Sequence, residues 1–283
     1  MSKDKEKKPK STSSLTGSAI AAIAGIAAIC FCVFFVILRA TGAGAYTETE
    51  DSANGALYIS SIEQRDYKTV AAKINESLKE EKNEEIIKKQ ESLDDEDQDI
   101  WSLFDGIVIV GDSRAESFVE YDYLSEAIVE AKKGANLKYA DEDIPDVVAR
   151  QPKALVFSYG INDVTGNWID AESFINRYKE ILETYRQELP DTDIFVCSII
   201  PVEDNAVADD PTLEYLPEYA YQVKKMCEDE GYIFMDCDSL FDLTEYYEGD
   251  GIHFKPDMYP VWGEMILRKV FAHESEKVTE NND

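Results

Sequence analysis

Residues 107–113 read Ile107-Val108-Ile109-Val110-Gly111-Asp112-Ser113. Four consecutive β-branched residues give a short, continuously apolar run, the pattern of a strand buried on both faces. Gly111 then permits a sharp turn, and Ser113 falls at the carboxyl end of the strand, where a helix begins. Working outward, the same pattern recurs at 154–158, 194–200 and 232–237, with a weaker candidate at 127–130. Residues 171–188, 213–230 and 256–272 between and after these runs carry helical periodicity. Apolar strands alternating with helices predict an α/β domain with a parallel sheet and helices on both faces. In such folds, function gathers at the carboxyl ends of the strands.

Three segments place chemistry at that edge. Ser113 follows the first strand; on its own, a Ser there equally suits a helix cap. Gly160-Ile161-Asn162-Asp163 follows the second strong strand. Asn162 can aim an amide at a developing oxyanion, and an Asn-Asp turn is the plainer alternative. Asp250-Gly251-Ile252-His253 follows the last strand. Serine is a weak nucleophile without a base, and a histidine base needs an acceptor on its second ring nitrogen. Asp250, three residues upstream of His253, can be that acceptor. The chain has two histidines, and His273, between Ala272 and Glu274, reads as an exposed helix-end residue. His253 is therefore the candidate base, with a backbone-bonded loop histidine as the alternative. Each motif alone is bland; their convergence on one sheet edge is the arrangement an active site requires.

Together these blocks, from about residue 105 to 272, resemble the SGNH (GDSL-type) hydrolase family: Gly111-Asp112-Ser113 its nucleophile block, Gly160 to Asp163 its GxND block, and Asp250 to His253 its DxxH block. The resemblance implies a flavodoxin-like three-layer fold with strand order 2-1-3-4-5. It also implies a Ser113, His253, Asp250 triad and an oxyanion hole from the Ser113 and Gly134 amides and the Asn162 side chain. Arg114 stands where the GDSL subset carries Leu, a departure that bears on lipase-like substrates rather than on the chemistry. No cofactor or metal is implied.

Upstream, residues 19–38 (AIAAIAGIAAICFCVFFVIL) contain no charge. Twenty helical residues span roughly 30 Å, the thickness of a bilayer core. Five lysines within residues 1–10 precede the run, which orients the amino terminus to the cytoplasm and the remainder outside. Cleavage after the small residues Ala43-Gly44-Ala45 is the alternative to an uncleaved anchor. The expected organisation is a basic tail over 1–18, an anchor over 19–38, an extracellular linker and helical stalk over 39–100, a hydrolase domain over 101–272 and a polar tail over 273–283. In the stalk, Tyr67, Val70, Ile74 and Leu78 share one helical face, suiting either a coiled-coil spacer or a helix packed on the domain. The acidic run 94–99 lacks the glycine and terminal glutamate of a calcium loop and reads as a solvated linker.

The net charge of -30 repels phosphate backbones and argues against nucleic-acid partners. Cys197, Cys227 and Cys237 lack metal-ligand spacing and suit core positions, or at most one bridge. No glycine-rich phosphate loop follows the first strand, which disfavours a nucleotide-binding domain. The expected function is a serine esterase acting on carboxylic esters, such as acetyl groups on surface glycans. An O-acyltransferase with the same triad and a non-catalytic surface binding module are the alternatives. Trp168, Tyr159 and Trp262 could line a sugar platform, although aromatics near sheet ends more often belong to the core.

Overall fold

The computed structural model describes residues 31–34, 36, 39, 54–55, 57–60, 67–95, 98–138, 140–165 and 170–280. The chain divides into two units, Met1–Ala72 and Lys73–Asp283. In the first, the described residues of 31–39 and 54–60 are helical, and their large apolar side chains, among them Phe31, Phe34, Leu57 and Ile59, are exposed. Most of the expected anchor, 19–38, lies outside the described residues, as does Trp168. No helix among the described residues is long and apolar enough to cross a membrane.

The second unit is built on a five-stranded, wholly parallel sheet. Strands β1 (Ile107–Gly111), β2 (Val129–Ala131), β3 (Ala154–Ser158), β4 (Asp193–Cys197) and β5 (Ile233–Met235) lie in the order β2-β1-β3-β4-β5. The expected order 2-1-3-4-5 is the observed one. Helices, numbered from Tyr67 onward, are α1 (Tyr67–Ser92), α2 (Ser113–Glu120), α3 (Ile144–Arg150), α4 (Ile161–Val164), α5 (Ala171–Glu188), α6 (Asp204–Asp209), α7 (Leu216–Glu230) and α8 (Met258–Glu280).

Alternation along the strands divides the core into two layers. Val108, Val110, Leu155, Phe157, Ile194 and Val196 face a cluster completed by α5 and α7. Ile107, Ile109, Val156, Phe195 and Cys197 face the opposite cluster, with Phe118 of α2 and Trp262, Ile266 and Val270 of α8. Both faces of the sheet are thus covered, which is why its strands read as unbroken apolar runs. Cys197, Cys227 and Cys237 are buried free thiols. A hydrogen bond with Cys237, together with burial, holds the Cys197 thiol well above the ordinary range, as suits a protonated core residue.

Tyr159 and Trp262 are core residues, the commoner of the two readings for aromatics near sheet ends. Two readings of the sequence are corrected by the packing. The last helix runs to Glu280 instead of ending at 272, because buried Val278 and the Lys277–Asp193 ion pair (2.7 Å) carry its packing onward. His273 accordingly lies within α8, half-buried, edge-on to the Phe195 ring and 3.5 Å from Asp193. It is not an exposed helix end.

The stalk helix α1 is only partly free. Tyr67, Val70, Ile74 and Leu78 are all exposed, whereas Ile86, further along, and Leu93, just beyond the helix, join the α8-side core. Packing therefore reaches back beyond Trp101. Arg268 of α8 pairs with Asp94 at 2.6 Å, so the acidic run is in part anchored. Ile86→Ala should cost about 2–5 kcal/mol of unfolding free energy, as for a buried isoleucine. Leu78→Ala, at a position 57% exposed, should stay within about 0.5 kcal/mol. Urea denaturation of the full chain reads both, and equal losses at the two positions would place the docking point elsewhere.

Candidate active site

The register of the sheet brings the candidate segments together. Gly111 ends β1 opposite Ala131 of β2 and Ser158 of β3. The segments that follow these residues carry Ser113, Gly134 and Asn162, so they leave the sheet side by side. Gly111 is required by proximity: a Cβ there would lie 2.5 Å from the Ser158 carbonyl oxygen. Asp112 caps α2, its Oδ1 accepting from the Arg114 amide at 3.0 Å. Ser113 then opens the helix, largely buried.

The Ser113 hydroxyl lies 2.9 Å from His253 Nε2, and His253 Nδ1 lies 2.6 Å from Asp250 Oδ2. With the Nδ1 hydrogen donated to the carboxylate, Nε2 carries the lone pair that faces the hydroxyl. Asp250 also folds its own loop, since its Oδ1 accepts from the Ile252 and His253 amides, each at 2.9 Å. Burial alone would raise the Asp250 carboxyl. The hydrogen bonds from the His253 ring and from the two amides outweigh it and hold the group below its ordinary value.

That loop is clamped from three sides. The Glu248 amide donates to the His253 carbonyl at 2.8 Å, and Tyr247 bridges Phe254 in antiparallel fashion. The Glu203 amide donates to the Gly251 carbonyl at 2.9 Å, and Asn205 Nδ2 donates to the Gly249 carbonyl at 3.1 Å. Gly251 adopts a φ of 69°. A side chain there would be strained by its backbone and would collide with the Asn205 amide.

The oxyanion candidates are tied to one another. Gly134, at φ 76°, lies in the turn after β2. The Lys132 amide joins that turn to the Gly111 carbonyl at 3.3 Å. Asn162 Nδ2, in the first turn of α4, donates to the Ala135 carbonyl at 2.9 Å, and buried Asp163 accepts from the Leu137 amide at 3.0 Å. The motif after β3 therefore holds the loop after β2. The sequence reading gave Asp163 and Arg114 no part in holding the site together, and gave Asn205 no role at all. The signal for Arg114 was its place: a charge directly after the candidate nucleophile, on a helix that must pack against the sheet.

A hydroxyl, an imidazole and a carboxylate hydrogen-bonded in series at the carboxyl edge of a parallel sheet constitute the apparatus of a serine hydrolase. The profile of the GDSL-like lipase/acylhydrolase family matches residues 109–261. The chain belongs to this family and is an SGNH-type serine hydrolase acting on ester bonds.

Similar solved structures include a putative acylhydrolase from Bacteroides fragilis, with 15% identity, a TM-score of 0.48, and coverage of 58% of this chain and 87% of that one. A GDSL-like lipase from Bacteroides thetaiotaomicron has 13% identity and a TM-score of 0.49, covering 59% and 87%. An acetylxylan esterase from Geobacillus stearothermophilus has 15% identity and a TM-score of 0.46, covering 58% and 93%. No curated protein matches the chain.

Burial pushes the Asp112 carboxyl up to about 6, against the pull of the Arg114 charge and amide. A carboxyl raised on folding binds its proton more tightly in the native state, so it withdraws stability as pH rises from its unfolded value through the folded one. The unfolding free energy of wild type relative to Asp112→Asn, which keeps a capping oxygen, should therefore fall between about pH 4 and pH 6. Chemical denaturation across that range measures it; a flat difference would mean that Asp112 is not strained by burial.

Proposed function

We propose that the chain is a membrane-anchored, extracellular esterase that removes small acyl groups, such as acetyl, from cell-surface glycans through an acyl-enzyme at Ser113. The observation that carries the catalytic part is the unbroken chain of hydrogen bonds from Ser113 through His253 to Asp250. The anchor rests on the uncharged run 19–38 and the five lysines before it. The glycan rests on that location, since a wall-facing enzyme meets polysaccharide first.

In the reaction, His253 Nε2 takes the Ser113 proton as Oγ attacks the ester carbonyl, and Asp250 holds the ring and stabilises the imidazolium. The Ser113 and Gly134 amides and the Asn162 side chain receive the oxyanion. Collapse breaks the ester C–O bond, and His253 protonates the departing alkoxide. Water then surrenders a proton to His253 and attacks the acyl carbon; the acyl–Oγ bond breaks, His253 returns the proton to Ser113 Oγ, and the acid is released.

Full-length protein should hydrolyse aryl acetates faster than aryl octanoates, and Ser113→Ala should abolish turnover. Asn162→Ala should lower kcat by about 10²–10³, and Asp250→Asn by about 10⁴. Undiminished turnover by Ser113→Ala would refute the acyl-enzyme, and a preference for octanoyl would refute the small-acyl reading. An acyl group passing to an added sugar in preference to water would make the protein a transferase.

A further inference from the structure

Arg114 is buried directly after Ser113, and its guanidinium spends its donors on three backbone carbonyls. Nε donates to Ile252 at 2.9 Å, Nη1 to Ile200 at 2.6 Å and Nη2 to Pro201 at 3.2 Å. The guanidinium also lies 4.9 Å from the centroid of the Phe254 ring. No carboxylate bonds to this head group in any of these contacts, so the charge is solvated by main-chain oxygens. Its own backbone is fixed at both polar atoms. The Arg114 amide donates to Asp112, and the Arg114 carbonyl accepts from the buried Tyr259 hydroxyl at 3.0 Å.

The position of the first carbonyl decides what this can do. Ile252 O and His253 N belong to one peptide plane, the one that leads into the histidine. Asp250 holds the His253 amide, and Arg114 holds the Ile252 carbonyl. With both polar atoms of that plane pinned the plane itself cannot turn, and the Glu248 amide on the His253 carbonyl holds the peptide that follows, so the His253 Cα–Cβ direction is fixed from both sides. The pin comes from the residue adjacent to Ser113, so base and nucleophile share one reference point. The remaining donors tie the same point to the loop after β4, where Pro201 O also accepts from the Tyr247 hydroxyl at 2.9 Å. A planar, pre-organised fork can satisfy three carbonyls at once, whereas an ammonium on a flexible stem cannot hold the same geometry.

We propose that Arg114 is a positioning residue for catalysis, holding the His253 ring in line with Ser113 by gripping the peptide that precedes it. This deepens the hydrolase reading and rests on it. Arg114 touches no reacting atom; it acts through His253. The positioning of reacting groups is sensitive to such losses: a misplacement of about 1 Å typically costs about 10²-fold in rate.

The test uses the full chain with Arg114→Met and Arg114→Lys. It reads kcat and KM on an aryl acetate alongside the low-field proton resonance of His253 Nδ1. His273→Gln leaves His253 as the single imidazole in the spectrum, which makes that resonance assignable. In folded Arg114→Met, kcat should fall about 10²-fold with KM held within about twofold, the mark of an interaction lost from the chemical step. The low-field resonance should broaden or vanish. Arg114→Lys should recover part of both.

Unchanged kcat in folded Arg114→Met would overturn the proposal. So would a fall in kcat with the resonance intact, because the loss would then not run through the ring. If Arg114→Met does not fold, Arg114→Lys carries the test, with a reduced kcat and a weakened resonance expected and wild-type values in both overturning it. If the wild type neither cleaves esters nor is labelled at Ser113 by a fluorophosphonate, the hydrolase reading fails separately. The His253 resonance needs no turnover and still decides whether Arg114 orders the ring.

Discussion

The 2.9 Å contact between the Ser113 hydroxyl and the His253 ring joins residues 140 positions apart, and the organisation of the domain is best understood as what holds it. One partner opens a helix at the end of β1; the other hangs on a loop after the last strand. Neither position is fixed by local structure alone. The sheet supplies the coarse placement, since parallel strands in the order β2-β1-β3-β4-β5 deliver every functional segment to one edge. The fine placement comes from hydrogen bonds to main-chain atoms: Asp250 on the amides of its own loop, Arg114 on the Ile252 carbonyl, and Asn162 and Asp163 on the loop after β2.

This division explains what the sequence revealed. Strands buried on both faces read as apolar runs, so Ile107–Gly111 and Ala154–Ser158 were visible with nearly correct ends. Helix α5 was legible to its final residue because one face is buried and the other is charged. The grouping of Ser113, Asp250 and His253 was legible because few residue types can supply a nucleophile and its base, and the chain has only two histidines to offer. The assignment of Gly134 rests on resemblance alone, since a glycine in a turn announces a conformation and not a function.

The less legible features all depend on partners distant in sequence. The sequence gives no sign of the three carbonyls, from two other segments, that solvate the charge at position 114. The polar end of α8 reads as a frayed tail until Asp193 is found beside Lys277 and Phe195 beside His273. In α1 the most regular apolar stripe is exposed, and the anchoring residue is Ile86, which sits with Ile87 between paired glutamates and paired lysines. Periodicity identified the helix but not the face that packs, because the packing partner is itself assembled from remote segments.

The central claim is that Ser113 becomes covalently acylated during turnover. Acid quenching of the full-length protein in the steady state with an aryl acetate, followed by mass spectrometry of its peptides, tests it directly. The expected result is a peptide carrying one acetyl group at Ser113, absent when Ser113 is alanine. Ester turnover with an acyl group on a different residue, or with none on the protein even under single-turnover quenching, would contradict the assignment of Ser113 as the nucleophile.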